Sequence, residues 1–261
     1  GTILNSNINT VDFISGSKNN EFIINAKFSG GIKKVLFSEF KLSNSKTTLN
    51  STLEFDFPKE GKLSNVLLNF KELKSSSYEL QDIYPNIFGT ILPSSLQSMG
   101  EFVLKGDLLY KSERIKSNIY LENKGGKIYS DLDIYDFQNI DNASYVGTFK
   151  GDNVELSSFI TLPFLGKSTF QFSIDGKGFT PELLNSSLEG NIQDLSINNY
   201  NYSDINVLGD VSDKIFNGTL NVVDENLEMD FTGLIDYSDE LIDFDFSTNI
   251  IKANIGMLGL T

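Results

Sequence analysis

The sequence predicts an all-β protein, a long meander of antiparallel strands. Three observations predict it: strict alternation of apolar and polar residues, short clusters of turn-forming residues between the alternating runs, and a glycine that recurs inside the strands. Alternation is plainest near the C-terminal end. Leu227, Met229, Phe231, Gly233 and Ile235 interleave with Glu228, Asp230, Thr232, Leu234 and Asp236. Successive strand side chains point to opposite faces, so this run has one apolar and one mostly wet face. The next run repeats it, with Ile242, Phe244, Phe246 and Ile250 against Asp243, Asp245, Ser247 and Asn249. Phe102, Leu104, Leu108 and Tyr110, and Leu53, Phe55 and Phe57, do the same earlier.

Taken in order, the expected strands are 3–14, 21–28, 33–42, 47–57, 63–73, 101–110, 113–122, 127–137, 144–150, 153–161, 168–177, 187–197, 200–209, 212–222, 226–236 and 241–251. Ser29-Gly30-Gly31, Lys124-Gly125-Gly126, Asp224-Glu225-Asn226 and Tyr237-Ser238-Asp239-Glu240 separate such runs. These residues tolerate positive φ or close local side-chain turns. Helical signal is confined to a short helix over Tyr78–Ile83, stopped before Pro85, to a second short helix opened by Pro93 and ended at Gly100, and to one capped turn over Thr180–Leu184. The break divides the chain into strands over 1–77, a short helical insertion over 78–100, and strands over 101–261.

Within the strands an apolar residue, a variable one and Gly recur: Leu104/Gly106, Tyr145/Gly147, Phe149/Gly151, Leu188/Gly190, Val207/Gly209, Phe216/Gly218 and Phe231/Gly233. Interior strand glycine marks a bend, a bulge or a close approach. Bends at matching points of successive strands would make a curved trough; ordinary corner glycines would make a sandwich. The pattern is compatible with both.

Composition bounds the function. The chain has 261 residues, 39 % hydrophobic, enough apolar material to bury a core. Its 21 Phe and 10 Tyr suit half-buried pleated surfaces. A net charge of −14 argues against nucleic acid and against electrostatic attachment to an anionic membrane. There is no Cys and no His, so disulfides, thiolate chemistry and the commonest general base and metal ligand are missing. No secretory apolar region and no long apolar run occurs. The chain starts Gly1-Thr2-Ile3, as expected of a piece of a longer protein.

The residues give no reason to expect an enzyme, a cofactor or a metal. Asp131/Asp133, Glu228/Asp230 and Asp243/Asp245 lie two apart on wet faces and read as a solvated acidic face that keeps the sheet soluble rather than as paired catalytic carboxylates. Asp224-Glu225-Asn226 reads as a hairpin turn rather than a calcium loop. No Gly-x-Ser-x-Gly is present. Asn-x-Ser/Thr triplets such as Asn142-Ala143-Ser144 are expected by chance. A transmembrane barrel would need an unbroken apolar outer band, and regular Asp and Glu disfavour it.

One stretch carries a resemblance. Gly190-Asn191-Ile192, Tyr200-Asn201-Tyr202 with Ile205, Phe216-Asn217-Gly218-Thr219-Leu220, then Asp224–Leu227 with Asp230–Asp236 resemble, in their order, the repeats of the TamB/AsmA-like family. Leu92-Pro93 followed by Gly100–Gly106 resembles the opening of a repeat block in that family. These are periplasm-spanning, bridge-like lipid-transfer proteins of Gram-negative bacteria. The resemblance implies an elongated, curved antiparallel sheet folded lengthwise, a β-taco or open groove, with short helical insertions. It implies an internal segment of a protein anchored at the inner membrane, which carries phospholipid toward the outer membrane. It also implies, for the full-length protein, an Omp85-type barrel partner of the TamA class. The expected groove face is Phe102, Leu104, Leu108, Leu188, Ile192, Phe216, Leu220, Leu227, Met229, Phe231, Phe244 and Phe246. The competing expectation is a structural or adhesive β-sandwich or solenoid spacer with a closed, dry core.

Overall fold

The computed structural model describes residues 23–57, 64–79, 99–111, 114–137, 143–158, 162, 164–179, 183–239 and 241–258. The expected strand 3–14, the helices expected within 80–98 and most of the turn 180–184 lie outside these residues. The chain groups into two compact units, Gly1–Lys124 and Gly125–Thr261.

The first unit holds β1 (Ile23–Gly31), β2 (Lys34–Ser43), β3 (Thr48–Asp56), β4 (Asn65–Ser76), β5 (Glu101–Lys111) and β6 (Arg114–Asn123). They form one antiparallel sheet in chain order. β4 pairs directly with β5, so the sheet runs unbroken past the 78–100 interruption. A helical turn begins at 77–79, where the Glu79 amide donates to Ser76 Oγ at 3.2 Å, an N-cap bond. Register shifts between Phe37 and Phe40 and between Phe70 and Leu73 mark bulges on β2 and β4. Each adds a residue and increases local twist.

The second unit holds β7 (Gly126–Tyr135), β8 (Ser144–Glu155), β9 (Leu165–Lys177), β10 (Asn185–Ile197), β11 (Tyr200–Ser212), β12 (Ile215–Val223), β13 (Leu227–Asp236) and β14 (Asp243–Ala253). These too form one antiparallel sheet in chain order. Two hairpins close through two-residue loops, Asn198-Asn199 (φ 49° and 68°) and Asp213-Lys214 (φ 53° and 62°). Two successive positive φ values define the type I′ turn, whose twist matches that of the strands.

One expectation is corrected. Residues 144–150 and 153–161 are not two strands: β8 runs through to Glu155 and ends in a 3₁₀ turn at Leu156–Ser158. Asn153 takes φ 54° at a register shift against β9, so the chain crosses the break as a bulge. Asn tolerates the positive φ that such a bulge uses.

The second unit's buried cluster is Ile205, Val207, Val211, Phe216, Val222 and Phe231. Phe172, Leu188, Ile192, Leu220, Leu227 and Met229 pack against it half-buried. All of it comes from one face of one sheet. These side chains lose their water to neighbours in the same layer.

Candidate functional site

Register decides which residues share a face, and it gathers the apolar residues into rows that cross the strands. In the second unit, one row runs Leu132, Gly147, Ile174, Leu188, Gly209, Gly218, Gly233, Phe246 from β7 to β14. Beside it runs Ser130, Phe149, Phe172, Gly190, Val207, Leu220, Phe231, Thr248. A third row contains Ile192, Ile205, Val222, Met229 and Ile250, and a fourth contains Tyr145, Val211, Phe216, Ile235 and Phe244. The first unit repeats the arrangement. Phe28, Phe37, Leu53, Leu68, Leu108 and Ser117 form one row, and Ile24, Leu42, Leu49, Leu73, Leu104 and Leu121 another.

The recurring glycines fall mostly into these rows for a steric reason. Gly209, Gly218 and Gly233 stand opposite one another on three adjacent strands. The Phe216 ring lies over two of them: a Cβ on Gly209 would come 2.7 Å from that ring, and one on Gly218 2.8 Å. Gly151 is covered by Phe170 in the same way, at 2.5 Å. An aromatic side chain thus fills the space its glycine neighbour leaves. Gly106 is required on different grounds, since its φ of +127° would bring a Cβ to 2.0 Å from the Asn118 carbonyl oxygen.

All twelve residues expected on the groove face lie on the apolar side of their strands. Phe102, Phe216 and Phe231 are buried, at 4 %, 9 % and 5 % exposure. Leu104, Leu108, Leu188, Ile192, Leu220, Leu227 and Met229 are half-buried. Phe244 and Phe246, on β14, are 56 % and 48 % exposed. Phe231 stacks on Phe246 with ring centroids 5.0 Å apart. Sequence reasoning left out Phe28, Phe37, Phe70, Phe149, Phe170 and Phe172, which share these faces. Their alternation was the available signal. Phe37 lies 6.1 Å from Phe40 and 6.2 Å from Phe55, both edge to face.

The opposite face is polar and carries a feature the sequence did not announce. Tyr129, Lys150, Gln171, Asn191, Asn206, Asn221, Asp230 and Asn249 form one row across all eight strands of the second unit. Within it Asn191 donates to Asn206 at 3.2 Å, Asn206 to Asn221 at 3.4 Å, and Asn221 to Asp230 at 2.9 Å. These bonds are cross-strand supports of register. Here the polar face is hollowed into a shallow trough of about 940 Å³ lined by Tyr129, Lys150, Gln171, Glu189, Asn191 and Asn206 among others. The carboxylate pairs Asp131/Asp133, Glu228/Asp230 and Asp243/Asp245 all belong to the polar face.

Asp224, in the β12–β13 turn, is 8 % exposed. Its Oδ1 accepts from the Tyr200 hydroxyl and from the Asn226 amide at 2.8 Å; its Oδ2 accepts from the Ser203 amide at 3.0 Å and hydroxyl at 2.9 Å. Burial pushes this carboxyl's pKa up, but the bonds from Tyr200, Asn226 and Ser203 outweigh it and hold the pKa below the ordinary value. A depressed pKa adds stability that is present above the unfolded value of about 3.9 and is lost as pH falls through the folded one. Asp224→Asn should therefore cost most near neutral pH, with the gap in thermal midpoint between variant and parent closing as pH falls below the unfolded carboxylate's value and through the folded one. A gap that stays constant with pH would mean that the carboxylate's charge contributes nothing.

Fold and faces together define an all-β protein of single antiparallel sheets, each with one apolar and one polar side. Comparison with family models, curated proteins and solved structures finds no match for this chain. Among the described residues no helix is long and apolar enough to cross a membrane.

Proposed function

We propose that this chain is a segment of a β-groove that conducts phospholipid through the periplasm between inner and outer membranes and so supports outer-membrane assembly. One observation carries the reading. In each unit the apolar rows cross every strand, most of their members are half-buried rather than buried, and the unit's described strands all belong to one sheet, with no second sheet of its own. In a closed sandwich the facing side chains would interlock at the density of a protein interior. An acyl chain along these rows gains roughly 0.8 kcal/mol per buried CH₂, without directional bonds that would stop it sliding. No catalytic step is involved. The longer protein is anchored at the inner membrane and delivers to an Omp85-type barrel of the TamA class.

A photo-crosslinker tests the faces. Benzoylphenylalanine at Phe246, on the apolar face, should capture phospholipid during expression in a Gram-negative host. The same residue at Asp245, one position along on the polar face, should capture little. Equal capture at both sites removes the proposal.

The buried cluster beneath β11–β13 favours a second reading over that stretch, a rigid spacer with a dry core. Under that reading neither position captures lipid.

A further inference from the structure

We propose that the trough on the polar face of the second unit binds an extended, uncharged glycan chain of β1,4-linked sugars. The trough crosses β7 to β12, and its central row is Tyr129, Lys150, Gln171, Asn191, Asn206 and Asn221. Three features set it apart from a face that is merely solvated. The row holds no carboxylate on six neighbouring strands, in a chain with 35 acidic residues, and acidic side chains return beside it at Asp131 and Asp230. Asn is a poor strand former, yet three adjacent strands place Asn in this row. Two large side chains with apolar surface stand exposed in the trough, Leu208 at 58 % and Tyr129 at 42 %.

These groups match the chemistry of a sugar chain. A pyranose presents hydroxyls at its rim, each both donor and acceptor, and C–H groups on its faces. An amide side chain has two N–H donors and two carbonyl lone pairs. The ladder uses one of each on Asn206 and on Asn221, and leaves one of each for a ligand. Thr169, Ser173 and Thr219 add hydroxyls along the trough. The Tyr129 ring and Leu208 offer apolar surface to the C–H faces. The spacing fits as well. Strands lie about 4.8 Å apart, so the six together span roughly 24 Å. The repeat of a β1,4-linked sugar chain is close to that strand spacing, so one sugar stands over each strand. An α1,4-linked chain coils and cannot keep that register. Charge argues against other ligands. Asp152 is taken by Lys127 at 3.5 Å, which leaves Lys150 and Glu189 in the lining, one of each sign. A phosphate polymer would need more cations, and a metal ion more carboxylates.

Isothermal titration of the chain with chitohexaose, cellohexaose and maltohexaose tests this. The three are equal in length and differ in linkage or substituent. At least one of the β1,4-linked pair should bind in the submillimolar range, and α1,4-linked maltohexaose more weakly by about tenfold. The tighter of the pair identifies the source, chitohexaose for an acetamido glycan and cellohexaose for one with hydroxyls alone. Tyr129→Ala and Gln171→Ala should each weaken that ligand by about fivefold. Asn249→Ala, in the same row but outside the trough, should leave it unchanged. Circular dichroism checks that all three variants keep the sheet. No binding of either β1,4-linked hexaose, equal binding of maltohexaose, or parental affinity in both trough variants overturns the proposal. The trough and the apolar rows lie on opposite faces, so none of these results depends on lipid and the groove reading stands or falls separately.

Discussion

Gly218→Val is expected to lower the melting temperature by about 6–12 °C. A Cβ at this position would lie 2.3 Å from the Leu208 carbonyl oxygen, 2.6 Å from the Gly209 Cα and 2.8 Å from the Phe216 ring. Two of these three are backbone atoms of the neighbouring strand, which move only if the β11–β12 pairing is broken. Overpacking of this kind costs about 3 kcal/mol, and each kcal/mol is worth roughly 2–4 °C in a chain near this size. Phe216 must also leave its place over Gly209 and Gly218, which disturbs the buried cluster. Gly31→Ala is the matched control. Nothing lies within 4 Å of the Cβ it would add, so its effect should stay within about 0.5 kcal/mol. Scanning calorimetry reads both. Equal, small shifts would show that the glycine row is not under steric constraint.

Met229→Arg should reduce phospholipid co-purifying with the chain at least tenfold. Met229 is half-buried on the apolar face, between Val222 and Ile250 in its row. A guanidinium there stands between Val222 and Ile250 and must stay hydrated, so an acyl chain loses its apolar bed at that point. A penalty of about 1.4 kcal/mol already gives a factor of ten, and an unpaired charge against hydrocarbon costs more than that. Thr232→Arg, exposed on the opposite face of the same strand, should leave bound lipid unchanged. Mass spectrometry of the purified proteins measures the ratio, and thermal unfolding checks that both variants keep the sheet. Equal lipid in both variants would mean that the apolar face does not hold it. Loss in both would point to the strand rather than to its face.

The sequence by itself determined the strand identity and the two faces. Alternation in Leu227–Asp236 and around Phe244 needs only the period of a pleated chain, and every residue expected on the apolar face lies there. Its errors were local. The strands expected at 144–150 and 153–161 are one, because Asn153 takes a positive φ and carries the chain across the break as a bulge. Cross-strand register is a different quantity, because it is set by partners far apart in sequence. Only the tertiary structure brought Gly209, Gly218 and Gly233 opposite one another, the first two under Phe216, and aligned Asn191, Asn206 and Asn221 into a hydrogen-bonded ladder. Asp224 shows the same division. Its position in a turn was readable from Asp-Glu-Asn, whereas its burial under Tyr200 and Ser203 was not, because those partners come from the preceding hairpin. Local period fixes where a side chain points; pairing between distant strands fixes what it meets.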